Sequence, residues 1–431
     1  MADRIDRVGR LVYTIPAGLV DAGCASVASF SIGFVAVRIL DPSLLGVYAL
    51  HFSAFVAASV LPTQLIFKPA EVKALSSAHW DRSSIVTRTF RLAIVPATIA
   101  AFLSLAAVIA APPALRTAGL VPLTTTSMAC VIVSPYQDHV RRVLHLAGHS
   151  WCAAVVSATH FVGTVLSLLV LAHLPLPALC LPFGALLVAN ILSFTLGILL
   201  IAHFRQGHEV VGITYTNLAD SGRWLLLLGI LPTASTFVSA VLVARIVGAD
   251  LLGYAEAARV VAQPLFVLAM GISAVTAPQS MASGAKRDLR EATRVARVFV
   301  VVNCALGLVY LGIFGFSWHG NPLANLVPNA FVISGLAAVS ILANVVQGLS
   351  FPWRSELLGG RHERRLVRIE LIGNTCRVGA ATASSILQSF SLAVGLTALA
   401  LIRLIGYRHS RSQLFVLTSS ETAVPPRSTA G

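Results

Sequence analysis

Residues 38–48 read Arg-Ile-Leu-Asp-Pro-Ser-Leu-Leu-Gly-Val-Tyr, and residues 245–254 read Arg-Ile-Val-Gly-Ala-Asp-Leu-Leu-Gly-Tyr. Each stretch begins with Arg-Ile at the end of one apolar run and puts Leu-Leu-Gly and a tyrosine at the start of the next. Gly46 and Gly253 are 207 positions apart, close to half of the 431 residues. The match predicts an internal duplication, with parallel repeats related by an axis along the membrane normal.

The composition excludes an ordinary soluble domain. Hydrophobic residues make up 56% of the chain and charged residues only 11%, against about 25% charged in a typical soluble domain. The apolar residues form long runs, and a bilayer core needs about 20 of them per helix. We therefore predict an all-α polytopic membrane protein with about twelve transmembrane helices in two pseudo-symmetric six-helix lobes. The predicted spans are 11–37, 47–67, 92–111, 118–136, 151–174, 178–203, 224–247, 252–281, 298–317, 329–350, 369–388 and 391–407.

The positions of the basic residues predict the orientation, because cytoplasmic loops carry an excess of Lys and Arg. With twelve spans, 26 of the 31 Lys and Arg residues lie on the side of the two termini, counting Arg403 near that end of the last span. Only Arg38, Arg116 and Arg245 lie on the other side, and Arg259 and Arg377 lie within spans. We expect a multi-pass protein of a bacterial cytoplasmic membrane with both termini in the cytoplasm.

Several function classes are excluded or disfavoured. The net charge of +14 does not indicate nucleic-acid binding, because the basic residues sit at the ends of apolar runs. The outer loops are too short for a catalytic domain, so we expect no enzymatic activity. No GxxxxGK[ST] loop is present to indicate an ATP-driven pump. The six cysteines form no CxxC pair and have no His neighbour at zinc-ligand spacing, so we expect no cofactor or metal site. We expect lobes at 1–207 and 208–409 and a disordered cytoplasmic tail at 410–431.

The two hinge stretches identify a family resemblance. The first stretch, and the second where it leads on to Ala257-Ala258-Arg259 and Pro264, resemble the polysaccharide-type flippases of the MOP superfamily. So do Ala277-Pro278 and the basic run 286–297. This family is related to the lipid II flippases and the multidrug (MATE) exporters. The resemblance implies two lobes around a cavity lined mainly by helices one, two, seven and eight, and transport by alternating access.

The resemblance implies a polyprenyl-linked oligosaccharide as substrate, with the bilayer as surroundings. We expect a monomer that works beside a glycan polymerase or glycosyltransferases. The alternative is a MATE-like antiporter for drugs or small molecules, coupled to H⁺ or Na⁺. A scaffold with the fold but without transport also remains open.

Ionisable residues within spans are expensive and are read first as functional. Asp21, in the middle of span one, is a candidate for binding a coupling ion or for a structural pairing with a neighbouring helix. Glu256, Arg259 and Gln263 share one face of span eight. An arginine suits a pyrophosphate head group through its planar fork, although a local ion pair is an equal alternative.

The remaining residues are candidates because of where they lie in the predicted spans. Arg377 lies deep in span eleven and shares a face with Glu370 and Asn374, which favours a structural clamp. Near the inner end of span four, Asp138, Arg141 and Arg142 suggest interfacial anchoring or a gate. The hinge candidates are Gly46, Pro232 and Gly253.

Overall fold

The computed structural model describes residues 2–75, 82–110, 119–204, 214–316, 321–322 and 327–421. Every regular element in these ranges is a helix. The helices of the first half are α1 (Ala2–Ile39), α2 (Pro42–Pro62), α3 (Lys68–Leu75), α4 (Arg82–Leu92), α5 (Ile94–Ser104), α6 (Ala106–Ala110), α7 (Leu120–Leu146), α8 (Ser150–Ala172) and α9 (Leu181–Phe204). Those of the second half are α10 (Tyr215–Ile246), α11 (Ala249–Lys286), α12 (Leu289–Phe314), α13 (Leu336–Leu349), α14 (Phe351–Gly359), α15 (Glu363–Ala383) and α16 (Ser391–Glu421).

The helices have the length and composition that a bilayer requires. Within the described residues, nine helical stretches are long and apolar enough to cross a membrane. The last of these, Glu363–Phe415, contains both α15 and α16, and the run Ile94–Ala110 is a shorter apolar helix. Within the described residues, each of the twelve predicted spans overlaps one or more helices, and the predicted fold class is confirmed.

The third span is broken where the sequence requires it. Pro96 has no amide hydrogen to donate to the carbonyl of Leu92, and α4 ends at Leu92. The hydroxyl of Tyr215 donates to this Leu92 oxygen at 2.6 Å. A side chain from α10 therefore satisfies the backbone group that proline leaves without a helical partner.

The end of the chain differs from the prediction. The tail was expected to be disordered from residue 410, but α16 continues to Glu421. Leu414 is 1% exposed and Phe415 is 8% exposed, so apolar packing carries the helix past the predicted boundary. Residues 422–431 lie outside the described residues.

Two compact units divide the chain. The first consists of Met1–Val260 and Ala324–Val332, and the second of Val261–Leu323 and Ile333–Gly431. The boundary between them falls within α11 rather than after residue 207, and the predicted lobe boundary stays a prediction.

Each unit has its own packed interior. In the first, α1 packs against α8, α7 and α8 pack against α9, and α10 packs against α2. One core cluster in that unit joins α7, α8 and α9 through Val140, Val143, Val156 and Ile201. In the second, α15 packs against α16, and α13 packs against both α12 and α16.

Candidate functional site

Two polar groups in the first unit contain predicted site residues. The first is the Asp21 cluster, consisting of Asp21 on α1, Arg141 and His145 on α7 and Ser157 on α8. The Nε and Nη2 atoms of Arg141 donate to the two carboxylate oxygens of Asp21 at 3.0 and 2.9 Å. Ser157 donates its hydroxyl hydrogen to Asp21, and Nε2 of His145 lies 3.3 Å from Oδ2. Asp21 is only 7% exposed, so the cluster joins three helices through one buried carboxylate.

The arrangement of donors explains how Asp21 is tolerated within an apolar helix. A buried carboxylate is stable only when it is paired and hydrogen-bonded, and a fork from arginine is the strongest such pairing. Arg141 also donates to Asp138 at 2.9 Å. A cation that entered the cluster would have to displace Arg141, because this guanidinium already provides the positive charge.

A neighbouring group on α7 engages a second carboxylate. Arg142 donates to Glu71 on α3 at 3.1 Å, and Nδ1 of His139 lies 3.3 Å from the same carboxylate. Nε2 of His139 lies 3.0 Å from the Thr89 hydroxyl on α4. Arg141 and Arg142, adjacent in sequence, therefore tie α7 to α1 and to α3.

The second predicted group is the Glu256 pair, formed by Glu256 and Arg259 on α11. Arg259 donates through Nε and Nη2 to the carboxylate of Glu256 at 2.7 and 2.6 Å. Its guanidinium carbon lies 5.2 Å from the ring centre of Phe52 on α2. The side chain of Glu256 is 7% exposed and that of Arg259 is 41% exposed. The pair thus keeps its carboxylate buried, while the arginine side chain stays partly exposed.

The helices that carry this pair cross very closely. A Cβ atom on Gly46 would lie 1.8 Å from the carbonyl oxygen of Ala249, and one on Gly253 would lie 1.9 Å from that of Pro42. At the 207-residue offset Gly46 corresponds to Gly253 and Pro42 to Ala249. The contact is therefore reciprocal, as expected across a two-fold axis. Gly46 and Gly253 occupy a point of tight packing, and their hinge role stays a prediction.

The other predicted residues lie elsewhere. Pro232 lies within α10, which continues as one helix from Tyr215 to Ile246. Gln263 lies on α11 one turn beyond Arg259, in the second unit. Arg377 lies on α15 and is partly exposed. The roles predicted for these three residues stay predictions.

The face of α15 that was assigned to Arg377 contains a buried cluster around Glu370. Arg403 on α16 donates to Glu370 at 2.6 Å, and the Tyr407 hydroxyl donates at 2.5 Å. The side-chain amide of Asn374 donates at 3.1 Å. This carboxylate ties α15 to α16 through Arg403 and Tyr407, and the clamp role of Arg377 stays a prediction.

The partners of Asp21 were not predicted from the sequence. His145 and Ser157 had no role, and Glu71 and His139 were not considered. Spacing gave one available signal, because Asp138, Arg141 and His145 occupy one face of α7 at i, i+3 and i+7. In the described part of the chain, no group of three or more His, Cys, Asp or Glu side chains is arranged to hold a metal ion.

Comparisons with known proteins identify the fold. No family model matches the chain, and no curated protein matches it. Solved structures of MATE transporters do match. The eukaryotic MATE transporter AtDTX14 is 11% identical with a TM-score of 0.62, covering 96% of this chain and 99% of that one.

The likeness extends to MATE transporter structures in two conformations. An inward-facing multidrug resistance MATE transporter of the MOP superfamily gives a TM-score of 0.59 at 12% identity, covering 94% of this chain and 96% of that one. An outward-facing structure gives 0.61 at 10% identity, covering 95% and 96%. At these identities the likeness concerns the fold, and the chain has the all-helical fold of MATE transporters.

Proposed function

We propose that this protein is a membrane transporter that works by alternating access. Its fold is shared with transporters whose structures have been solved in inward-facing and outward-facing conformations. These neighbours are transporters rather than enzymes. A transporter also accounts for charged groups within apolar helices, because intramembrane ionisable residues typically mark a substrate or ion pathway.

As substrate we propose a polyprenyl-linked oligosaccharide, which the protein moves from the inner to the outer leaflet of a bacterial cytoplasmic membrane. The observation that supports this class is the Glu256 pair. Arg259 is held in a fixed orientation by Glu256 and Phe52, yet 41% of its side chain is exposed. A partly exposed arginine side chain with an oriented guanidinium suits the pyrophosphate of such a lipid. The lipid tail would remain in the bilayer while the head group crosses.

The alternative is an ion-coupled antiporter for small molecules, and the multidrug function stated for two of the neighbours favours it. In that mechanism Asp21 would be the coupling acid, exchanging H⁺ or Na⁺. The paired state of Asp21 weighs against it, because Arg141, His145 and Ser157 all contact the carboxylate. An ion could bind only after Arg141 had moved away.

A flipping assay tests the leading proposal. The purified protein is reconstituted into liposomes that contain a fluorescent polyprenyl-pyrophosphate oligosaccharide, and a membrane-impermeant quencher reports the fraction in the outer leaflet over time. We expect the wild type to equilibrate the lipid between leaflets and Arg259→Gln to do so at least about tenfold more slowly, the equivalent of one lost charge-assisted contact.

Arg38→Gln is the matched control for this assay. The Arg38 guanidinium also lies 5.2 Å from a ring centre, that of Phe34, but Arg38 has no place in the proposed site. Flipping no faster than in empty liposomes, or an equal loss in both variants, would contradict the glycan proposal. Proton- or sodium-driven export of a cationic dye by the same liposomes would favour the antiporter.

A further inference from the structure

A cavity opens along the first three turns of α12 in the second unit. It has a volume of about 390 Å³ and is lined by Leu289, Arg290, Thr293, Arg294, Arg297 and Val298. The three arginines are exposed. Among the described residues, no carboxylate forms a hydrogen bond or ion pair with their guanidinium groups. The cavity is therefore strongly cationic.

The inner wall of this cavity is fixed by buried polar contacts. Arg411 on α16 donates through Nη2 to the Thr293 hydroxyl at 3.1 Å and through Nε to Glu356 on α14 at 2.6 Å. The Glu356 side chain is fully buried and that of Arg411 is 18% exposed. The Arg411 contacts hold Thr293 in place. Glu356 neutralises the charge of Arg411, so the positive charge of the cavity comes from the three arginines.

The same face of α12 becomes apolar after the arginines. Positions 290, 294, 297, 301, 305 and 308 are three or four residues apart and form one stripe on the helix. Val301 is 60% exposed and Leu308 is 67% exposed. At 1.5 Å per residue, Leu308 lies about 16 Å beyond Arg297 along the axis. That distance is close to half of the ~30 Å hydrocarbon thickness, which is one leaflet.

We propose that the Arg290–Arg297 cavity binds the head group of an anionic phospholipid of the cytoplasmic leaflet, with an acyl chain along the apolar stripe of α12. Arginine forks match phosphodiester oxygens, and cytoplasmic leaflets are rich in anionic lipids. A soluble anion would use the arginines but not the stripe below them. This site differs from the proposed transport site, and it does not depend on the identity of the transported substrate.

The test measures lipid binding to the purified full-length protein. Delipidated protein in detergent is titrated with phosphatidylglycerol and, separately, with phosphatidylcholine, and bound lipid is counted by native mass spectrometry. The thermal unfolding midpoint is followed in parallel. We expect phosphatidylglycerol to bind and to raise the midpoint, with phosphatidylcholine much weaker.

The charge contribution is tested with the variant Arg290→Gln/Arg294→Gln/Arg297→Gln. Its phosphatidylglycerol affinity should fall about 100-fold, as expected for three basic residues near an anionic surface. The matched control is Arg361→Gln/Arg364→Gln/Arg368→Gln, which removes the same charge from three exposed positions, one just before α15 and two within it. This control should bind phosphatidylglycerol as the wild type does. Equal affinity of the first variant and the wild type, or an equal loss in the control, would overturn the proposal.

A second measurement on the wild type remains available if the triple variant does not fold. Glycerophosphoglycerol, which is the head group without acyl chains, is used to compete with bound phosphatidylglycerol. We expect it to compete at least about 100-fold more weakly than the intact lipid, because it has no acyl chain to bury against the apolar stripe of α12. If glycerophosphoglycerol competed as strongly as the intact lipid, the proposed binding of an acyl chain along α12 would be contradicted.

Discussion

Asp21 is a buried carboxylate whose stability depends on the charge and hydrogen bonds around it. The sequence alone marks it, because an acid in the middle of an apolar run needs a partner. The sequence does not identify that partner, since Arg141 is 120 positions away and reaches Asp21 only after α1, α7 and α8 have packed. The sequence therefore indicates that Asp21 needs a charge partner, but only the packing of the helices identifies that partner as Arg141.

Removing one member of the Asp21 cluster should be more harmful than removing two. Arg141→Ala leaves a buried carboxylate without its cation, and we expect a loss of about 3–5 kcal/mol in the free energy of unfolding. In Arg141→Met/Asp21→Asn no charge remains buried, so most of this loss should be recovered. Thermal or denaturant unfolding in detergent measures both values.

The exposed acid beside the cluster provides the comparison. Asp138 also accepts from Arg141, but its side chain is 54% exposed. Asp138→Asn should therefore change stability by less than about 1 kcal/mol. If Arg141→Ala proved as mild as Asp138→Asn, the Asp21 pairing would not be a stabilising contact.

Asp41 stabilises the start of α2 by accepting a hydrogen bond from a backbone amide of its first turn. Its carboxylate accepts from the Leu44 amide at 2.9 Å and from the Ser43 hydroxyl at 2.7 Å, with Pro42 at the first helical position. Asp41→Ala should cost about 1 kcal/mol, whereas Asp41→Asn should retain most of the cap. Unfolding free energies of the two variants distinguish a lost cap from a lost charge. Equal losses in both would contradict the capping role.

The same cap should give a pH dependence. Partial burial acts to raise the pKa of Asp41, but the hydrogen bonds from Leu44 and Ser43 outweigh it and hold the pKa below its usual value. Stability from this lowered pKa is present above the unfolded value of about 3.9 and is lost as the pH falls through the folded value. The stability difference between wild type and Asp41→Ala should therefore shrink below about pH 4.

At the scale of elements, the crossing of α2 and α11 is the contact in which the two repeated stretches of sequence meet. The repeat of Leu-Leu-Gly indicated two equivalent positions, and the structure brings each glycine against the backbone of the other helix. The equivalence extends further, because Phe52 corresponds to Arg259 at the same offset and these two side chains meet. The break after Leu92 has a local cause in Pro96, but the partner of the freed Leu92 oxygen was not predicted, because Tyr215 reaches it from another helix.

Adding one methyl group at this crossing should separate the two helices. Gly46→Ala and Gly253→Ala each put a Cβ atom within 2 Å of a backbone oxygen, and a backbone cannot move aside as a flexible side chain can. We expect each to cost about 1–3 kcal/mol. Gly271→Ala is the control on α11, because nothing lies within 4 Å of its added Cβ. A stability as high as that of the control would mean that the helices cross less closely than described.

At the scale of the whole molecule, the helices and their apolar composition follow from the sequence, but the orientation in the membrane rests on charge alone. The placement of 26 of the 31 Lys and Arg residues on one side predicts that the 38–48 hinge faces outward and that the arginines of α12 face the cytoplasm. The proposed direction of transport and the proposed lipid site both depend on this orientation.

Cysteine labelling tests the orientation directly. In a background without the six native cysteines, Ser43→Cys in the outer hinge should react with a membrane-impermeant maleimide added to intact cells. Arg290→Cys on α12 should react only after the membrane has been made permeable, because positively charged segments are retained on the cytoplasmic side. Ser43 is half-buried and Arg290 is exposed, so labelling of each after permeabilisation provides the reference for its reactivity. Labelling of Arg290→Cys in intact cells, with Ser43→Cys protected, would mean that the protein has the opposite orientation in the membrane. The Arg290–Arg297 cavity would then face the outer leaflet, and the polyprenyl-linked substrate would have to enter from the opposite side.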